Sequence, residues 1–310
     1  MSDYLWDKTG EPDADVERLE RLLARFRHRP APRAARPRRW VLALAAALPL
    51  VAALLLWRAP GTRGPTYEVT GVAGLERVGV GDWIEVGEER ASVRIADIGG
   101  VDLEPRSRVR VDEIRLAHGG RREEHRLYLA RGGLRASIFA AERVFGTSTP
   151  AGFSVDLGCI YTVEVDEHGT TRIAVETGRV AFGFGGAGEP RREVFVPSGA
   201  SITCRKDGRP TPPIKDGAAD AFVALIGRIH GGSATPADLE AALAAEERDD
   251  WLPLFELMND LAIDRDVRGR IFDRFPAGFE RPSTVTREGI LAADPGQRQL
   301  WLDAIKHWWW

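Results

Sequence analysis

Residues 152–184 read "GFSVDLGCIYTVEVDEHGTTRIAVETGRVAFGF" and carry the clearest structural signal in the 310-residue chain. Apolar and polar residues alternate through most of this stretch, and a period of two is typical of a half-buried β-strand. The segment "VEVDEHGTTRIAV" has one such run on each side of residues 166–170, which are polar and turn-forming. This pattern predicts a β-hairpin with residues 166–170 as its loop.

The same alternation continues on both sides, from about residue 66 to residue 207. The runs are short, evenly spaced and separated by Gly, Pro and Asp, and "VDLEPRSRVRVDEI" at 101–114 is typical of a turn between two strands. Short strands at regular spacing favour an antiparallel β-sandwich or a jelly-roll-like domain over a parallel sheet. We therefore expect a β domain over residues 66–207.

The period changes from two to 3.6 after "DGRPTPPIKDG", so we expect a linker at 208–217 and an all-α helical domain at 218–310. Thr235 followed by Pro236 is a typical helix start, with an N-cap residue and a proline in the first turn. The terminal tryptophans at 308–310 fit either a membrane interface or protein packing. The fold class is mainly β plus α.

Residues 40–57 contain no charge and no amide, and Trp40 and Trp57 stand at their two ends. A bilayer core needs roughly 20 apolar residues with a lower limit of about 17, and indole rings favour the membrane interface. A cleaved signal peptide normally lies nearer the N-terminus, and a core helix keeps a polar face. The pattern predicts a single transmembrane helix with the lipid bilayer as its partner.

Seven arginines lie between residues 25 and 39, whereas few follow the apolar segment. The positive-inside rule then places the N-terminus in the cytoplasm and the residues after about 60 outside the membrane. We expect a short cytoplasmic helical segment at 1–30, a basic linker at 31–39 and a single span in the inner (cytoplasmic) membrane.

One apolar stripe is predicted on a helix in the cytoplasmic segment, at spacings of three and four residues. Its members are Val16, Leu19, Leu22, Leu23 and Phe26. A lone helix of this length is marginal in water. The stripe therefore fits a docking helix for a cytoplasmic partner, or else a solvated and partly ordered tail.

The stretch "GVGDWIEVGEERASVRIADIGGVDLEPRSRVRV" at 79–111 resembles the opening of the FecR-type domain of periplasmic regulators. The resemblance rests on a turn with Leu103, Pro105, Ser107 and Val109. It continues in three later elements, which contain Thr149 and Pro150, Gly178 and Val180, and Val196 and Gly199.

That resemblance implies an inner-membrane protein that receives a periplasmic or outer-membrane signalling protein and controls a sigma factor through its cytoplasmic segment, as an antagonist or regulator. The segment here is shorter than the helical anti-sigma region typical of the family, so sigma-factor binding is the part of the resemblance with least support in the sequence. The alternative is an envelope scaffold, or a glycan- or protein-binding module with an inert cytoplasmic tail.

The sequence contains no recognisable catalytic constellation, metal site or cofactor motif, so we expect no enzyme activity and no cofactor. The six histidines are scattered and are expected at the surface, and the net charge of −3 does not suggest a nucleic-acid partner. "GFGGAG" at 183–188 matches a dinucleotide-binding pattern, but a further strand follows it, which favours a hairpin loop.

Cys159 and Cys204 are the only cysteines, and both fall in predicted strands of the extracytoplasmic domain. Oxidation is possible outside the cytoplasm, so the preferred interpretation is a disulfide bond between them. The alternative is two buried thiols that pack as small apolar side chains.

Overall fold

The computed structural model describes residues 14–24, 65–115, 124–185, 192–244, 250–276 and 278–308. The chain divides into two compact units, Met1–Thr62 and Arg63–Trp310. The described element of the first unit is helix α1, Ala14–Leu23. The second unit begins with fifteen described strands and continues with six described α-helices.

The fifteen strands follow one another from residue 67 to residue 215. They are β1 Tyr67–Thr70, β2 Arg77–Val78, β3 Trp83–Glu85, β4 Ala91–Ile95, β5 Gly99–Leu103, β6 Arg108–Arg115, β7 Glu124–Ile138, β8 Phe145–Thr149, β9 Gly152–Asp156, β10 Ile160–Val165, β11 Thr171–Thr177, β12 Arg179–Phe184, β13 Arg192–Pro197, β14 Ala200–Cys204 and β15 Ile214–Lys215.

The strands form two sheets that share β7. Sheet A has the order β2-β1-β4-β5-β7-β10-β11-β14-β15, and sheet B has the order β3-β6-β7-β8-β9-β12-β13. Every pair is antiparallel except β7 and β8. Buried side chains of both sheets form one hydrophobic cluster. The β part of the predicted β-plus-α fold is confirmed, and the parallel pair β7–β8 departs from the fully antiparallel arrangement that the sequence predicted. The predicted hairpin is also confirmed, because β10 and β11 pair across residues 166–170.

Strand β7 belongs to both sheets because it bends near Gly132. Residues 124–131 pair with β6 and β8, whereas residues 132–138 pair with β5 and β10. Gly132 has a φ of +88°, and a Cβ atom there would lie 2.6 Å from Cα of Ser107. The buried hydroxyl of Ser107 donates to the carbonyl of Gly133 and accepts from its amide, both at 2.9 Å. The turn between β5 and β6 therefore holds the bend of β7 in place.

The helical part begins directly after β15, and its six helices are short. They are α2 Asp220–His230, α3 Pro236–Leu243, α4 Trp251–Asn259, α5 Arg265–Arg274, α6 Arg287–Leu291 and α7 Pro295–Ile305. The predicted start of α3 is confirmed, because Thr235 and Asp238 form a reciprocal capping box. Trp301 lies at the centre of the core, with the ring centroids of Phe255, Phe272 and Phe275 at 5.6, 5.6 and 5.0 Å.

Residues 208–217, predicted as a linker, are packed between the β strands and the helices. Lys215 pairs with Ala200 in sheet A, and Pro210 forms a bridge with Cys204. The Arg209 guanidinium donates to the carboxylate of Asp260 and to the carbonyl of His230, which lie at the C-terminal ends of α4 and α2. The β strands and the helices are therefore connected by an ordered segment and not by a free tether.

The predicted transmembrane segment 40–57, with Trp40 and Trp57, and the basic linker 31–39 lie outside the described residues. Among the residues that the structure does describe, none of the helices is both long and apolar enough to cross a bilayer.

Candidate partner-binding and ligand sites

Helix α1 exposes the stripe predicted from the sequence. Leu19, Leu22 and Leu23 are 57%, 54% and 55% exposed and lie at i, i+3 and i+4, so they form one face. Val16 is within the helix, although its side chain is not described, and Phe26 lies outside the described residues. The three leucines thus form an apolar face that is largely open to solvent.

The remaining face of α1 is charged. Asp15 and Glu17 lie in its first turn and Arg21 in its last, where the helix dipole favours these signs of charge. Arg21 also forms an exposed ion pair with Glu17, with 3.7 Å between nitrogen and oxygen. An amphipathic helix of this kind can lie in an apolar groove of a partner, with leucines as anchors at i, i+3 and i+4.

The two cysteines do not form the predicted disulfide, and both are buried free thiols. Cys159 immediately precedes β10, whereas Cys204 pairs with Thr171, which itself pairs with Val165 at the far end of β10. About six residues of extended strand, at roughly 3.3 Å per residue, separate the two positions along the sheet. This distance exceeds the 7 Å or so that a disulfide can span between Cα atoms.

Cys159 instead belongs to a buried polar cluster. Its thiol donates to Oδ2 of Asp156 at 2.8 Å, and the Gly158 amide donates to Oδ1 at 2.7 Å. Asp156 is 1% exposed, and this burial raises the pKa of its carboxyl group. Burial is also the main cause that raises the pKa of the Cys159 thiol, and the neighbouring Asp156 carboxylate raises it further. Burial raises the pKa of Cys204 to about 11, so neither thiol is a ready nucleophile.

Contrary to the prediction from the sequence, the histidines are not all at the surface. His168 and His307 are exposed, but His125 is fully buried and its Nδ1 lies 2.8 Å from the hydroxyl of Tyr67. The alternation of β7 places His125 on the inner face with Leu127 and Leu129, so the expectation was wrong for this residue. The "HRLYL" pattern already contained that signal.

A cleft on the outer face of sheet B was not predicted. It has a volume of about 490 Å³ and crosses strands β7, β8, β9, β12 and β13. We call it the outer cleft. Its lining includes Arg126, Arg143, Ser148, Phe153, Gly183 and Glu193.

The outer cleft combines one aromatic ring with paired charges. The Phe153 ring extends over Gly146, where a Cβ atom would lie 2.8 Å from its Cζ, and the Arg126 guanidinium lies 5.0 Å from the ring centroid. Across the cleft, Arg143 donates to both carboxylate oxygens of Glu193, at 3.3 and 3.0 Å. This arrangement offers an apolar surface beside hydrogen-bond donors and acceptors.

The dinucleotide-like glycine pattern begins in β12, and its residues 186–188 lie outside the described ranges. Gly183 is within β12, and β12 pairs antiparallel with β13, so the predicted hairpin is confirmed. Within the described ranges, no three His, Cys, Asp or Glu side chains are grouped as a metal ion would require.

No protein-family model matches the sequence, and no curated protein matches it significantly. The solved structures that match include two crystal structures of a candidate anti-sigma factor from Parabacteroides distasonis ATCC 8503, at 2.50 and 1.65 Å resolution. Both are 15% identical to this chain and cover 46% of it, with TM-scores of 0.35 and 0.34. This chain spans 63% of the length of each. A similarity at this level carries no argument about family or function.

Proposed function

We propose that the protein is a single-pass membrane regulator that relays an extracytoplasmic signal to a cytoplasmic partner, and that this partner is a sigma factor bound by α1. The observation that carries the proposal is the exposed face formed by Leu19, Leu22 and Leu23. The apolar segment at 40–57 and the resemblance of the β domain to FecR-type domains support the membrane topology and the class of partner.

Burial of the leucine face makes a favourable contribution to docking. Burying one leucine side chain contributes about 1.5–3 kcal/mol, and about 1.4 kcal/mol changes an equilibrium constant tenfold. Because each of the three leucines is about half exposed, their burial in a groove contributes roughly 2–5 kcal/mol in total. The charged opposite face keeps the unbound helix soluble.

The proposal predicts that Leu19→Asp weakens binding of the partner by about 10- to 100-fold, since it replaces a buried anchor with a carboxylate. The measurement is the dissociation constant of a peptide spanning residues 1–39 for each sigma factor of the source cell. Transcription driven by the bound sigma factor is then measured in cells that carry the full chain.

Arg21→Asp is the matched control, because Arg21 lies on the opposite face of α1 and the substitution changes the helix charge by more than Leu19→Asp does. Binding that survives Arg21→Asp but not Leu19→Asp supports docking through the leucine face. If no sigma factor binds the peptide, or if Leu19→Asp leaves binding unchanged, sigma-factor regulation through α1 is wrong.

A second candidate function is an envelope scaffold, or a glycan- or protein-binding module, with an inert cytoplasmic tail. The outer cleft is the observation that favours it. In that case substitutions in α1 leave cellular output unchanged, whereas substitutions in the cleft do not.

A further inference from the structure

We propose that the outer cleft binds an uncharged oligosaccharide. The cleft is in the β domain, far along the chain from α1, so this inference does not depend on sigma-factor binding. Its volume of about 490 Å³ is within the usual range for small-molecule sites.

Gly183 is a strand glycine that the packing of the sheet does not require. Glycine in a strand interior weakens the strand and often marks the close approach of a ligand. A Cβ atom at Gly183 would meet only ordinary contacts, 3.7 Å from the carbonyl oxygen of Phe153 and 3.9 Å from that of Arg192. Gly183 therefore keeps open a space that most side chains would fill.

The neighbouring glycines have a different role, which makes Gly183 distinctive. A Cβ atom at Gly146 would clash with the Phe153 ring, and one at Gly152 would clash with the backbone of β12 and with Phe182. Those two glycines are needed for packing of the sheet. Gly183 has no such reason and lines the cleft.

The charges around the cleft exclude a strongly ionic ligand. Arg143 is paired with Glu193, and Arg126 lies 3.4 Å from Glu113 and 3.9 Å from Glu124. The cleft therefore has no net excess of either sign, and an anion or a cation would have to break an existing pair. A fully apolar ligand fits equally badly, since it would cover these paired groups without hydrogen bonds.

An uncharged sugar is the ligand class that fits both the apolar contact surface and the paired hydrogen-bonding groups of the cleft. The half-buried Phe153 ring, with the Arg126 guanidinium 5.0 Å from its centroid, offers apolar ring carbons against which the C–H face of a pyranose ring packs in this proposal. Arg143 and Glu193 lie side by side and provide a donor and an acceptor for adjacent hydroxyl groups, while Ser148 adds a further hydroxyl. An added peptide strand is a poorer match, because such peptides pair with a sheet edge. Ser148, Phe153 and Gly183 lie on strands with neighbours on both sides, and the edge strand β13 contributes only Glu193 to the cleft.

The test is calorimetric titration of the full chain, purified in detergent, with three uncharged probes: maltotriose, cellotriose and chitotriose. We expect at least one of them to bind with a dissociation constant of about 1 mM or tighter. Gly183→Leu fills the cleft and should weaken that binding at least tenfold, and Phe153→Ala should do the same by removing the aromatic surface. Thermal unfolding of each variant shows whether it remains folded.

Trp83→Ala is the matched control, because Trp83 is another aromatic residue of sheet B that does not line the cleft. Unchanged affinity in this variant, together with loss in the other two, supports the assignment. Failure of all three probes to bind overturns it, as does tighter binding of the anionic probe trigalacturonate. Wild-type affinity in folded Gly183→Leu would show that the sugar binds elsewhere. Because α1 binding is measured on a separate peptide, the two proposals can fail independently.

Discussion

Asp156 is a carboxyl group that the fold buries with neutral partners. Its carboxylate accepts hydrogen bonds from the Cys159 thiol and from the backbone amides of Gly158 and Cys159, and none of these donors carries a charge. Burial disfavours the ionised form, which is why its pKa is raised above the ordinary value of 3.8. The β domain therefore contains an ionisable group whose charged form is a cost to the folded state.

The pH dependence that follows has a definite sign. Because the folded-state pKa of Asp156 is raised, the unfolding free energy falls as the pH rises from the ordinary Asp value through the folded value, and is constant above it. Asp156→Asn should therefore be more stable than the wild type at neutral pH, with the difference vanishing below the ordinary pKa. Thermal unfolding between pH 3 and 8, on a scale set by about 1.4 kcal/mol per unit of pKa shift, measures this.

Asp166→Asn is the informative comparison for that experiment. The Thr170 amide donates to Asp166 at 2.8 Å, and this hydrogen bond lowers the pKa of the carboxyl group. Removal of this charge should give no gain in stability at neutral pH. Equal gains in both variants, or a loss in Asp156→Asn, would contradict the role assigned to burial.

At the level of single residues, the local sequence pattern predicted features that depend on near neighbours. It did not predict features that depend on strands distant in the sequence. The capping box of Thr235 was predictable because its partners are three residues apart. The burial of His125 was also present in the alternation of β7. The separation of Cys159 from Cys204 was not predictable, since it depends on which ends of β10, β11 and β14 lie together, and that is set by strand order.

Strand β7 is the element on which both sheets depend, and its bend gives a stability prediction. Gly132→Ala places a Cβ atom against Ser107 in a positive-φ conformation that costs L residues roughly 1–2 kcal/mol. Overpacking adds about 1–3 kcal/mol. We expect a total loss of about 2–5 kcal/mol in unfolding free energy, measured by denaturant titration of the full chain.

Gly133→Ala is the matched control one residue away. A Cβ atom there would meet first the Cγ atom of Glu104, at 3.2 Å, on a flexible side chain that can move aside. The unfolding free energy should change by less than about 1 kcal/mol. Replacing a strand glycine with alanine is favourable by about 0.5–1 kcal/mol, which offsets the small displacement of Glu104. Similar losses in the two variants would mean that the bend is not the cause.

The strand pattern of this element was visible in the sequence, but its bend was not. "HRLYLARGGLRASIF" indicates one long strand, and the structure has one of fifteen residues. Two adjacent glycines suggest an irregularity in a strand. That Gly132 marks a change from one sheet to the other follows only from its contact with Ser107, 25 positions earlier in the chain.

At the scale of the whole molecule, Arg209 is the residue that ties the segment after β14 to the helices. It donates to Asp260 and to the carbonyl of His230, and its side chain is 27% exposed. A hydrogen bond to a charged group contributes about 1.5–3 kcal/mol, which for a domain of this size corresponds to about 3–12 °C in Tm. Arg209→Ala should therefore lower the melting temperature of the full chain and make residues 208–217 sensitive to limited proteolysis.

Arg205→Ala tests whether any arginine of this segment has the same effect, because Arg205 is exposed. We expect a shift of less than about 0.5 kcal/mol for this surface substitution. If the two variants melt alike and are cleaved alike, the segment is held by other contacts and the role of Arg209 is wrong.

The division into a β part followed by a helical part was predictable from the change in hydrophobic period near residue 207. The packing of residues 208–217 was not, because their Pro, Gly and Asp content is also typical of a free linker. The leucine face of α1 was likewise visible as a local repeat. The outer cleft was not, since its residues come from β7, β8, β9, β12 and β13 and meet only in the folded sheet.

The sharing of β7 between the sheets also constrains how the protein is made. Residues 124–138 leave the ribosome before β8 and β10, their later partners in sheets B and A, have been synthesised. Until those partners arrive, an unpaired edge of β7 is open to other chains, and such edges promote aggregation. Sheet B lacks its last strand until β13 has emerged and sheet A until β15 has emerged, so we expect β7 to need protection from other chains during the synthesis of residues 139–215.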